Sequence, residues 1–346
     1  MSKPHLDTSA TPSPATHARR AAVASERPPL LDLLASGDAL TGPELARRLG
    51  VSRAAVWKQV EALRAAGLGI DSGTRGYRLA RPLDPLDTVR IRAGLPAALR
   101  RKLGALENHW RLDSTSSELA RRVAGLPDLS FVFADWQDAG RGRRGRQWLS
   151  SPAANLQFSC LKRFAGGYAA LSGLSLATGI VVARALEDCG VRGVGLKWPN
   201  DLVHEDAKLG GILIELGGEF MGPCHAIVGV GVNVHLPEAF RTTLDRPCVD
   251  IAGLSGDKSP SRNVLAAALI ARLIEALDVF DRSGFAAFAE DWVGRDALAG
   301  RRIRVEGVRG TFDGVAAGVD ARGALKVSVA DEIRSIDSAE VTVRPA

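Results

Sequence analysis

Residues 140–148 form the most unusual segment of the sequence, with four arginines and three glycines among nine residues. Glycine lets a backbone approach a ligand closely and move, and the arginine side chain offers planar donors to phosphate oxygens. The segment therefore predicts a flexible loop that closes over a phosphate. Taken alone, it fits a solvent-exposed basic loop or a nucleic-acid-binding patch equally well.

Two more segments carry groups suited to phosphate chemistry. Residues 197–201 read Lys-Trp-Pro-Asn-Asp and predict a rigid polar turn, and Lys208 stands at the start of an apolar strand, 208–215. A lysine placed there can neutralise charge that develops on a phosphate during transfer, and Asp201 can orient a ribose or a metal-bound nucleotide. Each segment alone is more often structural, as a surface lysine or a packing corner.

Small polar clusters beside apolar runs are candidates for ligand recognition. Residues 229–233 contain a Gly-x-Gly without the third glycine and the following helix of a dinucleotide site, so we expect a strand close to a ligand, with Asn233 as a polar contact. Ser114, Thr115 and Ser116 by default cap a helix, but their hydroxyls can also recognise a polar head group.

The first elements of the chain, within residues 28–82, have the pattern of three short helices and a hairpin. Pro43 suits the start of a second helix, which Gly50 ends. Ser52 is a good N-cap for a third helix, whose apolar residues repeat every three or four positions. Two helices joined by a tight glycine turn are typical of helix-turn-helix DNA-binding domains.

The third helix and the hairpin after it predict a DNA-binding surface. Polar side chains, including Arg64, point away from the apolar face and can reach phosphates or base edges. Residues 70–79 predict two strands about a glycine-containing turn, which is a wing. A pair of amphipathic helices used for protein contacts is the alternative interpretation. The predicted DNA-binding residues are Ser52, Arg53, Ala54, Trp57, Lys58 and Arg75.

The rest of the chain divides into a long mixed region and a short β-rich end. Across 87–297, strand-like and helical runs alternate, which predicts an α/β or α+β core domain. Across 298–346, short Val-rich strands with glycine turns predict a small β-barrel. The core strands are predicted at 131–134, 156–161, 212–216 and 226–234, the core helices at 169–189 and 262–282, and the later strands at 301–306, 311–317, 324–329 and 332–337.

Composition restricts the class of protein. The chain has 346 residues, 46% of them hydrophobic, and no run of eighteen apolar residues that could span a membrane. Residues 1–27 lack the apolar segment of a secretory signal, which predicts a disordered tail and a cytoplasmic protein. Most of the net charge of +6 lies before residue 83, which favours an anionic partner there. The four cysteines and six histidines are scattered, so we expect no metal site of the protein's own.

Taken together, these segments resemble the bifunctional biotin–protein ligase and biotin operon repressor family, from about residue 28 to the C-terminus. Residues 45–67 are similar to the repressor members of the family rather than to ligases without a DNA-binding domain. The resemblance implies an α+β multidomain protein with an N-terminal winged helix-turn-helix, a catalytic domain like that of class II aminoacyl-tRNA synthetases and a C-terminal SH3-like β-barrel. The segments that match the family in order and spacing are 140–148, 197–201, 208–215 and 229–233.

The resemblance also implies a reaction. In this family the carboxylate of biotin attacks the α-phosphate of ATP, with Mg²⁺ present, and gives biotinyl-adenylate and pyrophosphate. A lysine of a biotin carboxyl carrier protein then takes the biotinyl group. The adenylate acts as corepressor and favours a homodimer that binds operator DNA. ATP and biotin are then substrates, and we expect no tightly bound cofactor.

Carried over by position, the resemblance assigns roles to individual residues. Lys208 and Arg143 match catalytic residues at the reacting phosphate. Ser116 belongs to the biotin cluster but departs from the family, which usually has Asn there; because serine is shorter and lacks the amide, we expect an altered biotin affinity. The other residues matched to biotin or its adenylate are Ser114, Thr115, Gln137, Arg141 and Gly142, and the candidates on the nucleotide side are Asn200, Asp201 and Asn233.

Three other functions stay open at this point. A lipoate–protein ligase shares the adenylate chemistry but lacks the pattern of residues 140–148. A repressor that only senses its effector does not need both Arg143 and Lys208. A ligase with a vestigial DNA-binding domain is the more serious alternative, because a sequence shows a recognition helix but no operator.

Overall fold

The computed structural model describes residues 26–345 except 242–243, 245, 308–309, 331 and 338–340. The tail predicted for residues 1–27 lies almost entirely outside these described residues. No helix among the described residues combines the length and the apolar composition needed to cross a bilayer.

The N-terminal domain contains three helices and a hairpin. Thr41 caps the second helix by accepting a hydrogen bond from the Glu44 amide, and Gly50 ends that helix with a φ of 66°. Ser52 caps the third helix by accepting from the Ala55 amide at 3.1 Å. The predicted winged helix-turn-helix is confirmed. Its elements are α1 (Pro29–Leu34), α2 (Gly42–Leu49), α3 (Arg53–Ala65), β1 (Ile70–Gly73) and β2 (Gly76–Leu79).

This domain has its own core, and it contacts the central domain at Trp110 and at Gly67. Trp110 of the central domain packs into the N-terminal core and is 5% exposed. Gly67, just after α3, lies against Phe240 and Ser151, so that a Cβ at position 67 would come within 2.3 Å of the Phe240 ring. The residues buried completely in the N-terminal core are Leu30, Leu31, Leu34, Leu45, Val56 and Val60.

The central domain is built on one seven-stranded sheet with the strand order β3-β4-β7-β11-β10-β9-β8. Only the β3–β4 pair is parallel. The elements of this domain are α4 (Thr88–Ala93), α5 (Ala97–Lys102), β3 (Leu106–Leu112), α6 (Thr115–Arg122), β4 (Ser130–Gln137), β5 (Gly140–Arg141), β6 (Gln147–Trp148), β7 (Asn155–Phe164), α7 (Leu174–Asp188), β8 (Gly195–Lys197), β9 (Asp201–His204), β10 (Ala207–Gly218), β11 (Cys224–Asn233), α8 (Glu238–Arg241), α9 (Ile251–Ser255), α10 (Arg262–Ser283) and α11 (Ala289–Val293).

Helices cover both faces of this sheet. Phe131 and Phe133 of β4 belong to the large core that also contains α7 and α10, whereas Val132 between them belongs to a smaller cluster with Leu119 of α6. Successive strand residues point to opposite faces, so both faces of β4 are buried. This explains why the central strands read as continuous apolar runs.

One predicted helix is divided in the structure. The sequence predicts a single helix over 169–189, but a short 3-10 turn, Tyr168–Leu171, precedes α7. Gly173 lies between the two with a φ of +79°, and a Cβ there would approach the Cβ of Phe285 to 2.6 Å. The backbone therefore turns at Gly173, because glycine adopts this conformation at low cost.

The C-terminal domain is a five-stranded antiparallel sheet with the order β15-β14-β13-β12-β16. Its fifth strand was not predicted from the sequence. Ile303 and Val327 share one continuous core with the central domain, and the Trp198 indole donates a hydrogen bond to the Gly323 carbonyl at 3.1 Å. The strands are β12 (Arg302–Gly307), β13 (Gly310–Val319), β14 (Leu325–Val329), β15 (Glu332–Ile336) and β16 (Val341–Pro345).

Candidate active site

A cavity of about 600 Å³ opens on the central domain. The start of α6, the end of β4 and strands β7, β10 and β11 form its walls, and the loop of residues 140–148 lies across it. The structure brings together ten of the residues that the sequence assigned to the substrates: Ser114, Thr115, Ser116, Gln137, Arg141, Gly142, Arg143, Asn200, Asp201 and Lys208.

One end of the cavity carries a chain of buried hydroxyls. Ser114 caps α6, so Thr115 and Ser116 occupy its first turn. Their hydroxyls both hydrogen-bond Ser159 of β7, at 2.8 and 2.9 Å. A hydroxyl both donates and accepts, so this chain can adapt to a ligand that offers either group. Ser159 was missed from the sequence because it stands inside an apolar strand without any local signal.

A network of amides lies beside the hydroxyls. The Gln137 side-chain oxygen accepts from the Thr115 amide at 2.7 Å, and its nitrogen donates to Gln157 at 3.2 Å. The same Gln157 oxygen accepts from the Trp148 indole at 3.1 Å, and the Gln157 nitrogen donates to Ser150 at 2.8 Å. The network therefore fixes the orientation of Gln137. Gln157 is a second site residue that the sequence did not reveal.

The other end of the cavity is strongly cationic. Among the described residues that line the cavity, seven side chains are basic and one is acidic. Such an excess of positive charge in a partly enclosed space favours a polyanionic ligand. The acidic residue is Asp201, and the basic residues are Arg141, Arg143, Arg144, Arg146, Lys197, Lys208 and Arg246.

Asp201 is held between two of these cations. One carboxylate oxygen lies 2.5 Å from the Lys208 ammonium, and the other lies 3.4 Å from the Arg246 guanidinium. A β-bulge of β10 falls between Lys208 and Gly210. The position of Gly211 keeps space for the lysine, because a Cβ there would lie 3.2 Å from the ammonium.

Burial affects two of the cations. It lowers the pKa of the Arg143 guanidinium, an effect that Asp201 opposes and that Arg144 and Arg146 reinforce. Burial also lowers the pKa of the Lys197 ammonium, and Asp201 again opposes the change. In both cases burial removes water that would stabilise the charged form of the side chain. A bound anion would therefore stabilise these cations.

The loop of residues 140–148 is a short hairpin. β5 and β6 pair at its base, and Arg144 and Gly145 have φ angles of 57° and 71° at its tip. The Arg141 guanidinium forms an ion pair with Glu215 of β10 at 2.6 Å. The segment predicted as a flexible loop is therefore tied to the sheet through Arg141 and, at its end, through the hydrogen bond from the Trp148 indole to Gln157.

Two of the nucleotide-side candidates have structural contacts. Asn233 does not line the main cavity, and its nitrogen donates to the Lys208 and Val249 carbonyls at 3.3 and 3.1 Å. It lines an adjoining cavity of about 290 Å³ instead. Asn200 lines the main cavity, but its nitrogen donates to the Ile212 carbonyl at 2.8 Å.

The predicted DNA-binding residues lie on the N-terminal domain. Trp57 is 55% exposed, and Arg75 is exposed in the turn of the wing. Arg53, Ala54 and Lys58 are exposed on α3, which Ser52 caps. Arg64 differs from the prediction: its guanidinium donates to the Ile70 carbonyl at 2.9 and 2.6 Å and pairs with Glu61. Arg64 therefore joins α3 to the wing.

The described residues include no group of three or more His, Cys, Asp or Glu side chains that could hold a metal ion.

The fold and the cavity define a class of protein. In this class, a helix-turn-helix DNA-binding domain is joined to a ligand-binding core and a small β domain. Family models match each part. Residues 30–78 match a helix-turn-helix domain, residues 110–233 match the biotin/lipoate A/B protein ligase family, and residues 299–344 match the biotin protein ligase C-terminal domain.

Full-length relatives specify the family. The chain is 35% identical to the bifunctional ligase/repressor BirA of Salmonella typhimurium and to that of Escherichia coli, in both cases over 92% of this chain and 97% of the relative. The crystal structure of the biotin protein ligase from Aquifex aeolicus in complex with biotin and ATP aligns with a TM-score of 0.60 and 27% identity, over 70% of this chain and 99% of that chain. The chain belongs to the biotin–protein ligase family, among its bifunctional ligase/repressors. The family resemblance and the fold class predicted from the sequence are confirmed.

Proposed function

We propose that this protein joins biotin to ATP, releases pyrophosphate, and transfers the biotinyl group from the adenylate to a lysine of a biotin carboxyl carrier protein. The observation that carries the proposal is the two-ended cavity. Neutral hydroxyls and amides line one end, and at the other, cations outnumber carboxylates by seven to one among the described lining residues. A neutral head group with an acidic tail, next to a triphosphate, matches this arrangement.

The neutral end would bind the biotin head group. The ureido ring of biotin offers both N–H donors and a carbonyl acceptor, which the hydroxyls of Ser114, Thr115 and Ser116 and the amide of Gln137 can match. We add Ser159 to this set, because it is within hydrogen-bond distance of two of these hydroxyls. The biotin carboxylate would then point to the cationic end.

The cationic end would stabilise the transfer. A carboxylate oxygen of biotin attacks the α-phosphorus of ATP, and the bond from that phosphorus to the β-phosphate oxygen breaks with release of pyrophosphate. A carboxylate is already a nucleophile, so no general base is required. Lys208 and Arg143 would hold the phosphate and stabilise its developing charge. Mg²⁺ enters with ATP as part of that substrate, and Asp201 is the described lining carboxylate that would face it.

The adjoining cavity suits the adenosine part of ATP. Leu236 and Phe240 give it an apolar wall, and Lys208 and Arg246 line both cavities. Asn233 would act here, and Asn200 in the main cavity, through the backbone carbonyls that they hold. In the second step, the amine of the carrier lysine attacks the biotinyl carbonyl carbon and AMP leaves. Closure of the 140–148 hairpin, through Arg141 and Gly142, would shield the mixed anhydride from water.

The second part of the proposal is repression. Arg53, Ala54, Trp57 and Lys58 of α3 would enter the major groove of operator DNA, while the wing residue Arg75 would contact phosphates. Biotinyl-adenylate would act as corepressor. Both roles place the protein in the cytoplasm, where ATP, carrier and operator DNA occur.

A homodimer would form the repressing species. In the described part of the chain, β9 pairs with β10 as far as Gly211, and Asn200 continues the contact to Ile212. The remainder of β10 to Gly218 has no strand partner on that side. Leu216 on this edge is 45% exposed. An open edge with an apolar residue suits antiparallel pairing with a second copy.

The boundaries predicted from the sequence remain a prediction for the functional units: 28–82 for DNA binding, 87–297 for catalysis and 298–346 for the C-terminal domain.

The test measures pyrophosphate release from ATP with biotin, with lipoate and with neither. We expect release with biotin only, lowered about 10²- to 10³-fold in Arg143→Ala and in Lys208→Ala. Release with lipoate only, or none with biotin, would overturn the ligase proposal. A gel-shift assay with DNA upstream of biotin-synthesis genes tests repression, and the absence of adenylate-dependent binding at physiological salt would favour a ligase with a vestigial DNA-binding domain.

A further inference from the structure

Arg246 is a cation of the cavity that none of the sequence patterns includes. It lies in the segment after α8 that runs beside the start of β10. The Lys208 amide donates to the Pro247 carbonyl at 2.9 Å, and the Val249 amide donates to the Lys208 carbonyl at 3.0 Å. This strand-like pairing fixes the backbone on both sides of Cys248 relative to Lys208. Arg246, two residues earlier, is therefore positioned by the same strand that carries the predicted catalytic lysine.

Arg246 stands where the two cavities meet. It lines both of them, together with Gln147, Trp148 and Lys208. Its guanidinium contacts one oxygen of Asp201 at 3.4 Å, while Lys208 contacts the other oxygen at 2.5 Å. The same carboxylate thus contacts both cations and holds Arg246 and Lys208 together at the junction of the two cavities.

We propose that Arg246 binds the phosphate groups of ATP at this junction and so positions the nucleotide for attack. The inference rests on the proposed function, since it places the nucleotide across the two cavities. The guanidinium has five N–H donors in a planar fork, so it can contact Asp201 and a phosphate at the same time. Arg246 also lines the adjoining cavity, whereas Ser114, Thr115 and Ser116 line the main cavity alone of the two. Removal of Arg246 should therefore affect ATP and spare biotin.

The experiment compares Arg246→Ala, Arg246→Lys and wild type in two direct binding measurements, calorimetric titration with ATP and with biotin. We expect Arg246→Ala to weaken ATP binding about 10- to 100-fold, as for loss of charge-assisted hydrogen bonds, and to leave biotin binding within about twofold. Arg246→Lys should recover part of the loss. Arg301→Ala is the matched control, because Arg301 pairs with the exposed Asp206 and does not line either cavity.

A second variant separates a direct contact from an effect through Asp201. If Arg246 only orients Asp201, its removal has no effect in an Asp201→Asn background; the inference requires that ATP binding still weakens there. Equal loss of ATP and biotin binding in Arg246→Ala, or no change in ATP binding, would overturn the inference. Wild-type protein that binds ATP but releases no biotin-dependent pyrophosphate would instead contradict the proposed function, so the two failures are distinguishable.

Discussion

Ser159 connects two hydroxyls that would otherwise have to find separate partners. We expect Ser159→Ala to weaken biotin binding about tenfold, because it leaves both Thr115 and Ser116 without their shared buried partner. Ser116→Ala should cost less, since Ser159 then keeps Thr115. Isothermal titration with biotin measures both effects. Ser172→Ala provides the control, as its hydroxyl contacts the Arg322 carbonyl outside the cavity; a loss in that variant equal to the loss in Ser159→Ala would contradict the prediction.

At the residue scale, the sequence predicted the side chains that belong to unusual local patterns. Arg143 belongs to a dense Arg/Gly segment, and Lys208 begins an apolar run. Ser159 and Gln157 alternate with apolar residues along β7. They become site residues only because β7 pairs with β4 and contacts the start of α6. The assignment of Arg64 to DNA contact is wrong because a polar side chain that looks available in the sequence satisfies a backbone carbonyl in the fold. Asn233 also holds a backbone carbonyl, but it lines the adjoining cavity, so its place on the nucleotide side stays a prediction.

At the scale of elements, the ion pair between Arg141 and Glu215 joins the hairpin of residues 140–148 to β10. We expect Glu215→Gln to free Arg141 and raise the rate of tryptic cleavage within the hairpin several-fold, because local opening exposes its arginines. Limited proteolysis with mass spectrometry measures the cut sites. Asp188→Asn is the control, because it breaks the ion pair with Arg272 that joins α7 to α10. Unchanged cleavage at residues 141–146 would show that the pair does not hold the hairpin.

The segment before the C-terminal domain carries a carboxyl group with a raised pKa. Burial raises the pKa of Asp296, and a hydrogen bond from the Leu298 amide opposes the change only in part. The folded protein therefore holds this proton more tightly than the unfolded chain, so stability falls as the pH rises above the unfolded pKa of about 3.8.

Replacing this carboxyl group should remove the pH effect. We expect Asp296→Asn to melt at a higher temperature than wild type at pH 8 and at nearly the same temperature at pH 4, since the amide stays neutral and keeps the acceptor for Leu298. Melting curves across this range give the difference. An advantage of the variant that is constant with pH would disprove a role for ionisation.

The elements were predicted where periodicity and local signals agree. Ser52, Gly50 and the apolar repeat define α3, and the long apolar run of α10 defines that helix. β16 was missed because a short Val-rich end of the chain is a strand only through its pairing with β12. The break before α7 was missed because Gly173 is required by contact with Phe285, a residue far away in sequence.

The three domains are not equally independent at the scale of the whole molecule. The N-terminal domain has its own core, whereas the C-terminal sheet shares one core with the central domain. We expect a chain of residues 83–346 to unfold cooperatively and a chain of residues 1–297 to lose its cooperative transition, because the second truncation removes Ile303 and Val327 from the shared core and exposes the side of Trp198 that contacts Gly323. Urea unfolding followed by circular dichroism measures both chains. A cooperative transition of the central domain in the chain of residues 1–297 would contradict the shared core.

Through its contact with Gly67, the Phe240 side chain separates the N-terminal domain from the central domain. Because Gly67 has no side chain, the size of residue 240 helps to set how closely the two surfaces approach, together with Ser151 and Trp110. A smaller residue at position 240 would let the N-terminal domain move closer to the central domain, and a larger one would move it away. Neither change would replace a residue proposed to contact DNA or biotin. Position 240 also forms part of the apolar wall of the adjoining cavity. A substitution there would therefore change the approach of the N-terminal domain and the proposed nucleotide site together.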